Sequence, residues 1–244
     1  MTDNKQNISC QEIACLENKI CVLSNIVNIL LSQPPPLSQS LCFSEFHLPI
    51  PCGIPDDVNV VISSILDSVT INACDIFPIQ ATTTQGSPPT NVDFVASQCN
   101  PVGSFGLTCL GTGRPVFVVP PACGGCYQVT MSVSVLTTIN PIVNTTFDYD
   151  LILVSYTSCV SAPSLIASST VSGTKSISSQ TQAPGGITPA EYDGLISTGI
   201  VCLQPGQLIG PAIRFKTVPD IGDFILTASS FSILFRQLSS VTCT

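Results

Sequence analysis

Two hydrophobic periods divide the chain. From Gln11 to Leu31, apolar residues fall at Ile13, Leu16, Ile20, Leu23, Val27 and Leu30, alternately three and four apart. That spacing puts them on one face of a helix and also fits a coiled-coil seam. It predicts an N-terminal helical arm over residues 1–33, stopped by Pro34, Pro35 and Pro36, because proline lacks the amide that a helix interior uses. A second apolar set at Val58, Val61, Ile62, Ile65, Leu66 and Val69 follows Asp56 and Asp57, either of which would cap it as a helix. Residues 34–90 read as a connector rich in proline and cysteine, ending in the Thr-, Gly-, Ser- and Pro-rich stretch from Ala81 to Thr90.

Beyond this connector the period changes to two. Tyr127, Val129, Met131, Val133 and Val135 alternate with Gln128, Thr130, Ser132 and Ser134, the mark of a strand with one dry face and one wet face. Phe147 to Tyr156 predicts a more deeply buried strand, and Arg114 to Val119 one that ends at Pro120 and Pro121. Further strands are expected at Ser164 to Ser172, Thr174 to Thr181, Ile196 to Leu203, Gln207 to Val218 and Phe224 to Leu238. Ser172-Gly173, Pro184-Gly185-Gly186, Pro205-Gly206 and Pro219 to Gly222 supply turns between them, and Glu191-Tyr192-Asp193-Gly194 reads as another. Many short strands without βαβ spacing give an all-β main domain over 91–244, an antiparallel sandwich or barrel.

Composition narrows the function. Charged residues make up only 9 % of the 244, so little repulsion keeps neighbouring molecules apart. The net charge of -8 and the scattered Lys and Arg exclude a phosphate backbone as partner. No apolar run is long enough to predict a membrane-spanning helix, and the polar residues from Met1 to Asn7 lack the pattern of a secretion signal. A single histidine, His47, and the lack of a Gly-x-Ser-x-Gly elbow argue against hydrolytic catalysis. Asp148 and Asp150 share one face of a strand. A carboxylate pair of this kind serves glycoside hydrolysis or calcium binding elsewhere, but the simpler reading is a strand's solvent-facing start. Asp220 and Asp223 read the same way within their turn. We therefore assign no catalytic residue, metal site or cofactor.

Thirteen cysteines remain, an odd number that leaves at least one thiol without an intrachain partner once the others are oxidised. Cys10, Cys15 and Cys21 on the predicted arm, and Cys243 near the last residue, are the candidates for bonds between subunits. The alternative for the first three is pairing with Cys42, Cys52 or Cys74 of the same chain, or burial as small apolar groups. Cys42, Cys52, Cys74, Cys99, Cys109, Cys123, Cys126, Cys159 and Cys202 are the candidates for structural disulfides. Spacing does not specify their connectivity. Cys123-Gly124-Gly125-Cys126 is a CxxC motif, but it opens a strand rather than a helix and so lacks the dipole that activates a redox thiol. Without a second CxxC it is also a poor zinc site.

The segment Gly125-Cys126-Tyr127-Gln128-Val129-Thr130-Met131-Ser132-Val133-Ser134-Val135 resembles the Gly-x-Tyr-x-Ile/Val-Ser/Thr strand of jelly-roll domains of the tumour-necrosis-factor and C1q-like type. It resembles still more the outer-layer proteins of Bacillus-type spores. Leu203-Gln204-Pro205-Gly206-Gln207-Leu208-Ile209 is similar to the Leu-x-Pro-Gly-Asp-x-Ile turn of those domains, departing from it at Gln207, and Phe224 to Leu238 matches their closing strand. The resemblance covers about the last 130 residues. It implies an antiparallel jelly-roll sandwich preceded by a partly helical, cysteine-containing region, and self-association into a trimer or filament. It further implies a structural role at the spore surface (exosporium, coat or appendage), with other spore surface proteins as further partners. An adhesion module at a fibre tip or anchor is the alternative. Synthesis inside a mother cell without a signal, followed by oxidation on lysis, would reconcile the cysteines with the missing leader.

Overall fold

Alternation of apolar and hydroxyl-bearing residues governs the architecture. The computed structural model describes residues 42–48, 60–65, 71–83, 90–97, 104–141, 145–179, 190–217 and 221–240. Among them the strands, in chain order, begin with β1 (Phe43–His47), β2 (Val60–Ile65), β3 (Ile76–Pro78), β4 (Thr82–Thr83) and β5 (Val95–Ala96). Next come β6 (Gly106–Thr108), β7 (Val116–Val118), β8 (Gly125–Pro141), β9 (Thr145–Tyr156) and β10 (Ser164–Leu165). The chain closes with β11 (Ser172–Ser179), β12 (Ala190–Leu203), β13 (Leu208–Phe215) and β14 (Ile221–Ser239). Every pairing is antiparallel, and no helix occurs among the described residues.

Strand order identifies a jelly roll. One layer runs β7-β13-β9-β11, and the other runs β14-β8-β12 with β2 and β1 end to end along the free flank of β14. Neighbours in each layer are distant in sequence, as two nested Greek keys require. The layers face each other across aromatic contacts between β14 and its opposite strands: Phe235 with Phe117, and Phe224 with Phe147, Tyr149 and Phe215. Along one side Ser172 pairs with Thr198, the Thr170 N–H donates to the Ile200 carbonyl and the Ser197 hydroxyl donates to the Leu151 carbonyl, which joins the layers there. There Gly173 and Gly199 are needed, since a Cβ on either would overlap the backbone of Ile196 or Thr170.

The inward residues of β8 are Tyr127, Val129, Met131, Val133 and Val135, all buried, as their alternation predicts. On β14 the inward set is Phe224, Leu226 and Ala228, then Phe231, Ile233 and Phe235. The register shift between Ala228 and Ser230 accounts for the change of parity, because one extra residue in a strand turns the following side chains over. A smaller cluster of Cys109, Val116, Ile152, Val154, Tyr156 and Ala212 lies on the other side of β9 and β13, so that layer is apolar on both faces.

Three expectations change. The Val58–Val69 pattern does not form a helix at its centre, where residues 60–65 are β2 and pair with Phe224–Ala228 of β14. β-Branched Val60, Val61 and Ile62 suit a pleated surface, and a long unpaired neighbour outweighs weak helical spacing. The supposed turn Glu191-Tyr192-Asp193-Gly194 lies within β12, paired with Thr137 to Ser134. Of Ser164 to Ser172 only Ser164–Leu165 is a separate strand, Ser172 belonging to β11. Residues 34–90 supply β1 to β4, which pair into the sheets. The predicted arm helix over 11–31 lies outside the described residues.

Candidate functional site

Four cysteines gather at one end of the sandwich. Cys42, just before β1, is disulfide-bonded to Cys123, just before β8. Register then sets Cys126 opposite Cys202 across β8 and β12, with their sulfurs 3.3 Å apart, and neither is a free thiol. Side-chain period explains the grouping, since each sulfur sits within a residue or two of a strand end at the same edge of the fold.

Gln237 ties these pieces together. It continues the inward parity of Ile233 and Phe235 on β14, and is buried. Its backbone N–H donates to the Cys42 carbonyl at 2.9 Å, and its Oε1 accepts from the Cys42 N–H at 2.8 Å. Its Nε2 donates to the Gly124 carbonyl at 2.8 Å. Tyr127 adds a bond from its hydroxyl to the Cys123 carbonyl, and burial pushes its phenol up to about 12. Gly125 has φ +137°, and a Cβ there would overlap the Ser239 carbonyl. The closing strand therefore ends against the CxxC segment. Residues 1–41 join the fold at Cys42, and the last described residue, Ser240, lies beside Gly125. Both connections to the outlying cysteine-bearing segments consequently occur at the end that holds Cys42, Cys123, Cys126 and Cys202.

The remaining candidates fall elsewhere. Cys109 and Cys159 form a disulfide that closes the smaller cluster. Arg114 holds the loop there, donating from Nη1 to the carbonyls of Cys159 and Ser161 at 3.0 Å each and lying over the Tyr156 ring. Cys74, expected among the structural disulfides, is instead a free, exposed thiol in a turn, with φ +70°. Its N–H donates to the Phe215 carbonyl, which directs the backbone inward and leaves the side chain outside. Cys10, Cys15, Cys21, Cys52, Cys99 and Cys243 lie outside the described residues.

The carboxylate pair has a structural environment. Asp150 is buried beneath β9's outer face, receiving Arg214 Nη2 at 2.6 Å, Lys216 Nζ at 3.0 Å and the Thr174 hydroxyl at 2.7 Å. Burial raises its pKa, but the bonds from Arg214, Thr174 and Lys216 outweigh that and hold the carboxyl below its ordinary value. Asp148 accepts from the Ser176 hydroxyl at 2.6 Å. Both oxygens of Asp150 are engaged by cations or a hydroxyl, which suits a structural ion pair better than an acid, a base or a calcium ligand. Asp223 belongs to β14, opposite Asn140, and Asp220 lies outside the described residues. Among those described, no three His, Cys, Asp or Glu side chains group as metal ligands, and no helix is long and apolar enough to cross a membrane.

No protein-family model matches the chain, and neither does any curated protein. Solved structures do match. Eiger TNF from S. frugiperda aligns at 14 % identity and a TM-score of 0.43, over 84 % of this chain and 98 % of that one. Murine APRIL at pH 8.5 aligns at 13 % identity and a TM-score of 0.34, over 80 % of this chain and 98 % of that one. The same protein at pH 5.0 gives 13 % identity and a TM-score of 0.32 with the same coverage.

Proposed function

We propose that this protein is a self-assembling structural subunit of a spore's outer layer or appendage, held together by disulfides within and between chains. The observation that carries the reading is the shared end. The segments bearing Cys10, Cys15, Cys21 and Cys243 connect to the domain where its own sulfurs already cluster, so bonds made by those segments would pull on a cross-linked, hydrogen-bonded junction. Force would enter through Cys42–Cys123 and Gln237 rather than through a single strand end.

Sheet burial supplies the fold, and sparse charge permits close approach between copies. Disulfides then convert reversible association into an assembly that resists detergent and heat. Serine replacement of Cys10, Cys15 and Cys21 together, followed by non-reducing electrophoresis, tests it. Loss of the covalent ladder with an unchanged thermal melt is expected. A ladder that persists in the triple variant would contradict the role assigned to these cysteines.

A further inference from the structure

Cys126 and Cys202 are directly opposed on β8 and β12, in a register that runs without a shift from Ala190 with Thr138 to Leu203 with Gly125. Tyr127 on one strand, and Val201 and Leu203 on the other, turn into the core, so both cysteines face outward and are half-buried. Their sulfurs lie 3.3 Å apart, against about 2.0 Å for a disulfide. They are in contact but not bonded to each other. Each is nevertheless disulfide-bonded. Cys42 pairs with Cys123, Cys109 pairs with Cys159 and Cys74 is free, so the bonds of Cys126 and Cys202 run to cysteines outside the described residues. Two separate disulfides thus meet side by side at one point of a sheet.

The backbone there would accept a bond between the two. Directly opposed residues of an antiparallel pair have Cα atoms about 4.5–5.5 Å apart, inside the roughly 4.4–6.8 Å that a disulfide spans. Side-chain rotation is enough to close the sulfurs from 3.3 Å to about 2.0 Å. Both strands are meanwhile held in place. The Cys202 N–H donates to the Ser168 hydroxyl at 3.3 Å, and that hydroxyl donates to the Cys202 carbonyl at 3.4 Å. Before Cys126, Gln237 holds Gly124 and the Ser239 carbonyl abuts Gly125. Disulfides exchange when a thiolate attacks one of their sulfurs. A sulfur fixed against its target has an effective concentration far above that of any thiol in solution.

We propose that Cys126 and Cys202 form a thiol–disulfide exchange site, at which one incoming small thiol undoes both outward bonds. The thiolate of a monothiol such as glutathione attacks the outlying sulfur bonded to Cys126. A mixed disulfide forms on that outlying sulfur, and the electron pair of the broken bond leaves on Cys126 Sγ. Cys126 Sγ then attacks Cys202 Sγ, which forms the Cys126–Cys202 bond and expels the second outlying sulfur as a thiolate that takes up a proton. Two disulfides are broken and two are formed, so no oxidant or reductant is consumed. The same sequence can begin at Cys202. The result is a release point: both outlying connections open while the sandwich gains a staple across β8 and β12. Cys123, three residues before Cys126, is buried and bonded to Cys42, which confines the exchange to the outward pair. The chemistry takes place within one chain and does not depend on the assembly reading.

Disulfide mapping of the full chain provides the test. Cys74 is first blocked with iodoacetamide, so that glutathione, added at one equivalent, is the attacking thiol. The reaction is quenched in acid and the protein digested with pepsin for mass spectrometry. Before treatment, the Cys126 and Cys202 peptides should each be joined to other cysteines. After it, the Cys126–Cys202 peptide should be the main new bond, with one new alkylatable thiol and one glutathione adduct per converted chain. Cys42–Cys123 and Cys109–Cys159 should stay intact. A Cys126–Cys202 bond present before any thiol is added would overturn the proposal. So would glutathione uptake without that bond, scrambling that also breaks Cys42–Cys123, or a folded chain that does not react.

Discussion

Gln237 bonds backbone from two distant segments through one side chain. Replacing it with methionine keeps the volume and strands the Cys42 N–H and the Gly124 carbonyl, so Gln237→Met should cost about 1–3 kcal/mol, read from the urea midpoint at neutral pH. A midpoint equal to that of the parent would mean that the clamp contributes nothing. Asp150 offers a second check. Its folded pKa is lowered, so the unfolded chain binds the extra proton. The stability it contributes is therefore complete above the unfolded-state value and is lost as pH falls through the folded one. Asp150→Asn should cost about 3 kcal/mol at pH 7, the low end for breaking a buried pair, because Arg214 and Lys216 keep part of their hydration. The same variant should lose less stability than the parent between about pH 5 and pH 2, the span over which carboxylates of this kind titrate. Both residues left a trace in the sequence. Gln237 continues the inward parity of Ile233 and Phe235, and Asp150 continues the outward parity of Asp148. Nothing in the sequence named their partners, which come from the Cys42 and Gly124 segments and from β11 and β13, far away along the chain.

At the level of elements, period-two alternation was enough to find β8, which has one face against the core, and the apolar run in Phe147–Tyr156 was enough to find β9, which is buried on both faces. Elements that owe their conformation to a neighbour were not legible. The 58–69 pattern allows a helix or a strand, and only the free flank of β14 decides for β2. β12 extends back to Ala190 because β8 is long enough to pair with it, which overrides the turn chemistry of Asp193-Gly194. Disulfide connectivity was closed to spacing arguments for the same reason: Cys109 and Cys159 meet only after β7, β9 and β13 are aligned. Removing that bond as Cys109→Ala/Cys159→Ala should lower stability by about 2–4 kcal/mol. Amide exchange should accelerate first in residues 104–118 and 157–166, which surround the smaller cluster. Uniform acceleration across the whole sandwich would instead make the disulfide a global brace.

For the molecule as a whole, the jelly roll could be read from strand count, turn chemistry and the Gly125–Val135 motif. The assignment of β1 and β2 to the same layer could not, since they join it through β14 at the far end of the chain. The cysteine count posed the question of intersubunit bonding. Folding adds a location, by bringing Cys42, Cys123, Cys126 and Cys202 to the end where residues 1–41 enter. The proposed role is an assembly of copies of this chain, locked by disulfides from that end. Negative-stain electron microscopy of the full-length oxidised protein, heated in detergent with and without reductant, tests it most directly. Ordered multimers that survive without reductant and disperse with it are the predicted result; discrete monomers under both conditions would contradict it.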